Sequence, residues 1–76
     1  MRLTWKRFSA DEWEAEGSRG RVYTLTRTQG EPLGLRWRAD CLEADGKNPH
    51  IATHGGGPLT TILQRAKESA QKWEDG

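Results

Sequence analysis

A single cysteine, Cys41, cannot close an internal disulfide, so the chain has no covalent staple and a reducing, cytoplasmic setting is the expectation. No stretch approaches the roughly 20 consecutive apolar residues that a membrane-spanning helix needs, which leaves no expected membrane partner. The segment Met1-Arg2-Leu3-Thr4-Trp5-Lys6-Arg7 holds no apolar run of signal-peptide type, so secretion is not expected either. Net charge is small as well. Twelve Lys and Arg stand against 11 Asp and Glu, and a balance of +1 supplies no global attraction to nucleic acid. With 33% of its 76 residues apolar, the chain can build one thin core in a single domain over residues 1–76, with no room to enclose a large cofactor, and no cofactor is expected.

Site chemistry is equally sparse. Two His, one Cys and three Ser (Ser9, Ser18, Ser69) are the usual nucleophile and base candidates, and neither a G-x-S-x-G elbow nor a P-loop is present. An enzyme is therefore not expected. His50 and His54 are spaced H-x-x-x-H, with Cys41 and Asp45 upstream, but that spacing aligns two imidazoles only on a helix. This segment carries Pro49 and three glycines, and no C-x-x-C anchors it, so no metal is expected. Gly55-Gly56-Gly57 ahead of a helical pattern could offer bare N–H groups to a phosphate, yet it lacks the Lys-Ser/Thr ending that makes such loops specific. The row Glu12, Glu14, Glu16 reads as a solvated strand face.

Periodicity is where the sequence is rich. From Leu33 to Cys41, Leu33, Leu35, Trp37, Ala39 and Cys41 fall on one side, and Gly34, Arg36, Arg38 and Asp40 on the other. Such strict alternation predicts a half-buried antiparallel strand over residues 33–42. A second strand over 21–27 follows the turn-forming Gly17-Ser18-Arg19-Gly20 and turns Tyr23 and Leu25 inward. Residues 12–16 alternate with Trp13 and Ala15 inward. Residues 3–8 place Leu3 and Trp5 on the core side and Phe8 opposite them. The links Ser9-Ala10-Asp11 and Thr28-Gln29-Gly30-Glu31-Pro32 are of hairpin type, so the four strands form a meander. Beyond Asp45-Gly46 and Asn48-Pro49, Ile51-Ala52-Thr53 is at most a short fifth edge strand.

The period then changes. Leu59, Ile62, Leu63, Ala66, Ala70 and Trp73 form one apolar stripe and predict a helix over 58–74, with Pro58 at its first position and Thr60 as the alternative cap. Trp5, Trp13, Trp37 and Trp73 are spread along the chain, which points to one shared core in which Leu63 meets Trp37. The fold class is α+β: an antiparallel meander packed on one C-terminal helix.

Charge is segregated along the chain. After the acidic run Asp11, Glu12, Glu14, Glu16 come Arg19, Arg21, Arg27, Arg36 and Arg38, all Arg, the residue suited to planar bidentate contacts with carboxylate or phosphate. Arg36 and Arg38 must point away from Trp37 and the helix. Arg21 and Arg27 share parity with Tyr23 and Leu25 and are expected at strand ends. These arginines form either a solvated face, partly paired with Glu12, Glu14 and Glu16 across strands, or a binding surface. Arg21, Arg27, Arg36, Arg38 and Phe8 are the candidate binding residues.

The strand Leu35-Arg36-Trp37-Arg38 followed by the Thr60, Ala66, Ala70, Trp73 helix pattern resembles the arm-type DNA-binding domain of tyrosine-family integrases, a three-stranded sheet on a C-terminal helix. That resemblance implies DNA-facing roles for Arg36 and Arg38; an extra acidic N-terminal hairpin and a long loop before the helix depart from it. Gly17-Ser18-Arg19-Gly20-Arg21-Val22-Tyr23, the Trp-bearing strand and the Ala-spaced helix are similar in plan to small phage-encoded accessory proteins. That likeness implies a non-catalytic regulator of a host or viral protein. A protein partner is therefore the first expectation and nucleic acid the second; a homo-oligomer is possible but not indicated by the pattern.

Overall fold

The structure, a computed structural model, describes residues 1–30 and 34–76. Leu33, expected on the core face, and Glu31-Pro32 of the expected hairpin loop lie outside the described residues. Five strands, β1 (Lys6–Ser9), β2 (Glu12–Glu16), β3 (Val22–Gly30), β4 (Gly34–Leu42) and β5 (His50–His54), form one antiparallel sheet in sequence order, and α1 (Leu59–Asp75) crosses one face. Among the described residues, no helix is long and apolar enough to cross a membrane.

Alternation sets the register. Tyr23 pairs with Ala15 and Cys41, and Leu25 with Trp13 and Ala39, so these residues share the helix side. Tyr23, Leu25, Trp37, Ala39 and Cys41 are all buried there. The first strand is shorter than the expected 3–8. Leu3 and Trp5 do join the core, but ahead of β1, because the Leu3 N–H donates to Gln71 Oε1 of α1 (2.9 Å) instead of entering the ladder. Gln71 Nε2 in turn donates to the Met1 carbonyl (2.7 Å), which straps the N-terminal segment to the helix.

The helix begins one residue later than expected. Pro58 is its cap, extended at φ −57° and ψ 142°, and neither it nor Thr60 supplies a side-chain cap; the Pro58 carbonyl accepts from the N–H groups of Thr61 and Ile62 instead. The helix also sits rotated from the expected stripe. Its buried residues are Ile62, Ala66, Ala70 and Glu74, one row spaced by four. Ala66 and Ala70 have no side chain beyond Cβ, so the helix seats closely on β4 along this row. Leu63 is only half-buried, packed against the cluster that holds Trp37 and Ile62. Leu59 and Trp73, expected in the core, are exposed: Leu59 occupies the first helical position, at the end of the element, and Trp73 faces the sheet edge, where no strand follows β5. Leu35 is likewise exposed rather than buried. It pairs with Gln29 on a stretch of the β3–β4 hairpin that runs past the ends of β2 and β5, beyond the helix.

The rotated seat makes Ile62 the sensitive position. Ile62→Asp should abolish cooperative thermal unfolding, since an unpaired buried carboxylate costs several kcal/mol and a domain of this size has only about 5 kcal/mol to lose. Leu63→Asp, half-exposed, should lower the melting temperature and keep the transition cooperative. Equal effects at the two positions would contradict the observed helix rotation.

Candidate functional site

Two polar constellations occupy opposite sides of the sheet. The first is buried under the end of α1. Glu74, with a side-chain exposure of 1%, is the buried charged residue of the helix. Its Oε1 accepts from the Tyr23 hydroxyl (2.9 Å) and lies 3.6 Å from Arg21 Nη1, while Oε2 accepts from the Ser18 N–H (2.9 Å). Arg21 Nε also donates to Glu43 Oε2 (3.1 Å). Gly17 makes the cluster possible: a Cβ there would lie 2.5 Å from Tyr23 Cε2 and 2.8 Å from Glu74 Oε1. The turn that follows, Ser18–Gly20, holds Arg19 in the left-handed region at φ 58°. Burial alone would raise the Glu74 pKa, but the hydrogen bonds from Ser18 and Tyr23 outweigh it and hold the carboxyl below its ordinary 4.5. Burial and the bond to Glu74 push the Tyr23 hydroxyl upward. Burial, then the charge of Glu43, raises the Cys41 thiol to about 11, so it stays protonated at neutral pH.

The second constellation is the outer face, which α1 does not cover. Cross-strand partners share a face, so the register assembles it in rows. Lys6 and Phe8 come from β1, Glu12, Glu14 and Glu16 from β2, Thr24, Thr26 and Thr28 from β3, and Arg36, Arg38 and Asp40 from β4. The result is an acidic row and a mostly basic row separated by threonines. Phe8 is 61% exposed and borders a shallow groove of about 280 Å³ with Lys6, Glu14 and Glu16. Arg38 Nε donates to both oxygens of Asp40 (3.1 and 2.9 Å), and Asp40 Oδ1 also meets His50 Nδ1 at 3.0 Å. Arg36 lies across the backbone of Gly55, where a Cβ would come within 2.8 Å of its Cγ.

The candidate arginines are thus divided between the two sides. Arg36 and Arg38 share the outer face. Arg21 is on the helix side, in the Glu74 cluster, and Arg27 pairs with Asp11 at the β1–β2 turn through its side chain and its backbone N–H. The residues opposite Glu12, Glu14 and Glu16 on β3 are Thr26, Thr24 and Val22 rather than arginines, and Arg21, Arg27 and Arg38 pair with Glu43, Glu74, Asp11 and Asp40. His50 sits on the outer face, while His54 turns to the helix, with Nε2 2.7 Å from Ser69 Oγ; Cys41 is in the core and Asp45 in a turn. Among the described residues, no group of three or more His, Cys, Asp or Glu is placed to hold a metal ion.

Asp40, His50 and Thr53 are connected in the order acid, imidazole, hydroxyl, with His50 Nε2 3.1 Å from Thr53 Oγ1. A nucleophile also needs oxyanion donors and a concave place for substrate. This chain lies on an open strand face, with the Arg38 guanidinium against its carboxylate. It has the connectivity of a relay set on an exposed strand face.

The buried cluster carried little sequence signal, since Glu74 falls next to the expected Trp73. The usable clue was Tyr23, whose hydroxyl needs a partner once the ring is buried, together with an acid one helical turn after Ala70. No protein-family model matches this chain, and no curated protein or solved structure shows significant similarity to it.

The cluster sets a pH dependence. A depressed Glu74 pKa contributes stability above the unfolded value of 4.5 that is lost as pH falls through the folded pKa; the raised Cys41 and Tyr23 pKa values contribute stability that is lost as pH rises beyond their unfolded values of 9 and 10. Melting followed by circular dichroism should therefore be flat in between and decline at both ends. Glu74→Ala, which strands the Tyr23 hydroxyl and the Ser18 N–H, should cost about 3 kcal/mol at neutral pH. Glu74→Gln should shrink the acid decline, and an unchanged acid limb would show that this carboxylate is not its source.

Proposed function

We propose that this chain is a small non-catalytic binding protein, an accessory or regulatory factor that engages a protein partner through the outer face of its sheet. The observation that carries this reading is the mixed charge of that face. A polyanion approaching Arg36 and Arg38 also meets Glu12, Glu14 and Glu16 two strands away, and Arg38 is already held by Asp40. A protein surface can match both rows at once, because charge complementarity rewards the pairing of opposite patches in register. Phe8, exposed beside Lys6 and Glu14, supplies the apolar anchor that such interfaces use. The likeness in plan to phage-encoded accessory proteins supports a host or viral protein as the target.

One feature favours a nucleic-acid reading as the alternative. The β3–β4 hairpin runs past β2 and β5 as a two-stranded ribbon carrying Thr28, Gln29 and Arg36, and a ribbon of that kind fits the DNA major groove.

A photoreactive residue at Phe8 or Thr26, in cells of the source organism, should give a discrete adduct with one protein. The same residue at Gln64, on the outer side of the helix, should not, and Arg36→Glu with Glu14→Lys should abolish the adduct. Labelled duplex and single-stranded oligonucleotides should bind weakly or not at all at physiological salt. Sub-micromolar oligonucleotide binding, with a log–log salt slope of about −2 to −4 and loss in Arg36→Glu/Arg38→Glu, would promote the alternative. Ester hydrolysis lost in His50→Ala would overturn the non-catalytic reading.

A further inference from the structure

The edge strand β5 does not alternate. In a regular strand residues 50 and 53 would point to opposite faces, because side chains follow a period of two. Here Arg38 pairs with Thr53 and Asp40 with His50, and the register shifts between Ala39 and Asp40, so Ile51 is the extra residue of a β-bulge. Ile51 and Ala52 both turn to the helix side, while His50 and Thr53 are exposed on the outer face. The shift thereby sets four side chains in a two-by-two array, Arg38 beside Thr53 and Asp40 beside His50. A bulge blunts a sheet edge whatever side chains it carries. This one also joins an acid, an imidazole and a hydroxyl in one chain of hydrogen bonds.

That bonding fixes each proton. An ionised Asp40 only accepts, so His50 Nδ1, 3.0 Å from it, carries the ring hydrogen. Nε2 of the neutral ring is then bare, and the Thr53 hydroxyl, 3.1 Å away, donates to it. Arg38 meets Asp40 through Nε, and its Nη groups make no hydrogen bond among the described residues.

We propose that Thr53 is an activated hydroxyl, the site at which this domain takes up an acyl group from an activated ester or thioester. In the transfer, Thr53 Oγ1 bonds to the acyl carbon while the bond from that carbon to the leaving oxygen or sulfur breaks. His50 Nε2 takes the hydroxyl proton and passes it to the leaving group, so the ring ends neutral. Arg38, the cross-strand neighbour of Thr53, brings N–H donors to the oxyanion formed on the way. The open face denies a substrate pocket, yet one reactant is the strand itself, and a single transfer to the protein needs no repeated binding. The chemistry lies within β4 and β5, so it does not rest on the protein-binding reading.

The full chain incubated with p-nitrophenyl acetate tests the proposal. Tandem mass spectrometry should place an acetyl group on Thr53, formed about 100-fold faster than on Thr60, an exposed threonine without an imidazole partner. His50→Gln should remove that advantage and Thr53→Val the modification, each with a cooperative melt retained. The rate at Thr53 should rise with pH as His50 loses its proton and then level off. Nitrogen-15 shifts of His50 should report the Nδ1–H tautomer. Thr53 acetylated no faster than Thr60, an unchanged rate in His50→Gln, or the Nε2–H tautomer each overturns the proposal. Nitrophenolate release that stops at one equivalent per chain supports the transfer and leaves the non-catalytic reading in place. Release that continues beyond it and is lost in Thr53→Val supports the transfer and overturns that reading.

Discussion

A carboxylate of 1% exposure is an expensive group to place in a 76-residue domain, and much of this structure is arranged around keeping it satisfied. Glu74 takes hydrogen bonds from the Tyr23 hydroxyl and the Ser18 N–H, with the Arg21 guanidinium close by. Three separate parts of the chain, the turn before β3, β3 itself and the last turn of α1, are thereby fixed to one another. Once Glu74 is anchored over Tyr23, the rotation of the helix is set as well. Ala70, Ala66 and Ile62 fall beneath it at intervals of four, Lys67 comes to lie 4.0 Å from the centre of the Trp13 ring, and Trp73 turns toward β5. A slip of one residue that put Trp73 over Tyr23 would leave its hydroxyl without this acceptor.

The thinness of the fold follows from the composition. One helix against one sheet buries a single layer of side chains, and the chain has too few large apolar residues to build a second. The far side of the sheet must therefore be stable in water. It is made mostly of Thr, Glu, Arg and Lys, with Asp40 and His50 among them and Phe8 as its exposed aromatic residue. Lys67 and Arg7 over Trp13 show the same economy at the margin of the core, where the stems of charged residues complete the burial of a ring that the sheet alone leaves half-open.

How much of this was legible varied with the kind of signal. The period-two runs expected at 12–16 and 33–42 marked the strands found at Glu12–Glu16 and Gly34–Leu42 closely, because a strand covered on one side records its environment in every residue. The helix was equally legible, though its rotation was not. Ile62, Ala66 and Ala70 of the expected stripe are buried, but Leu59 and Trp73 are exposed and Leu63 is half-buried, while Glu74, an acid off the stripe, takes the fourth buried position. Leu35 continues the alternation past the point where the helix ends, and periodicity carries no information about where a covering element stops. Leu3 was readable as a core residue, but its place ahead of β1 follows from its backbone N–H donating to the Gln71 side chain, a contact 68 residues away in sequence that no local pattern encodes. On the outer face, the pairing of Arg36 and Arg38 was readable from parity with Trp37. The division of Arg21 and Arg27 onto carboxylates of the other side depends on where hairpins place Glu43, Glu74 and Asp11.

That division bears on function more than the count of arginines does. Five arginines in one stretch of sequence suggest a polyanion site, but folding assigns Arg21 to a structural acid and Arg27 to the acid of a neighbouring turn, and locks Arg38 to Asp40. A cation already paired releases fewer counterions on meeting a phosphate and must break its existing contact to do so, so its contribution to nucleic-acid affinity falls. The same paired groups suit recognition of a protein, which depends on fixed orientation more than on total charge, because an arginine held by a neighbouring carboxylate has fewer conformations to lose on binding. The helix side holds the fold together and the outer face is free of that duty. Substitutions on the outer face should therefore cost the fold little stability, whereas those in the Glu74 cluster should cost it much.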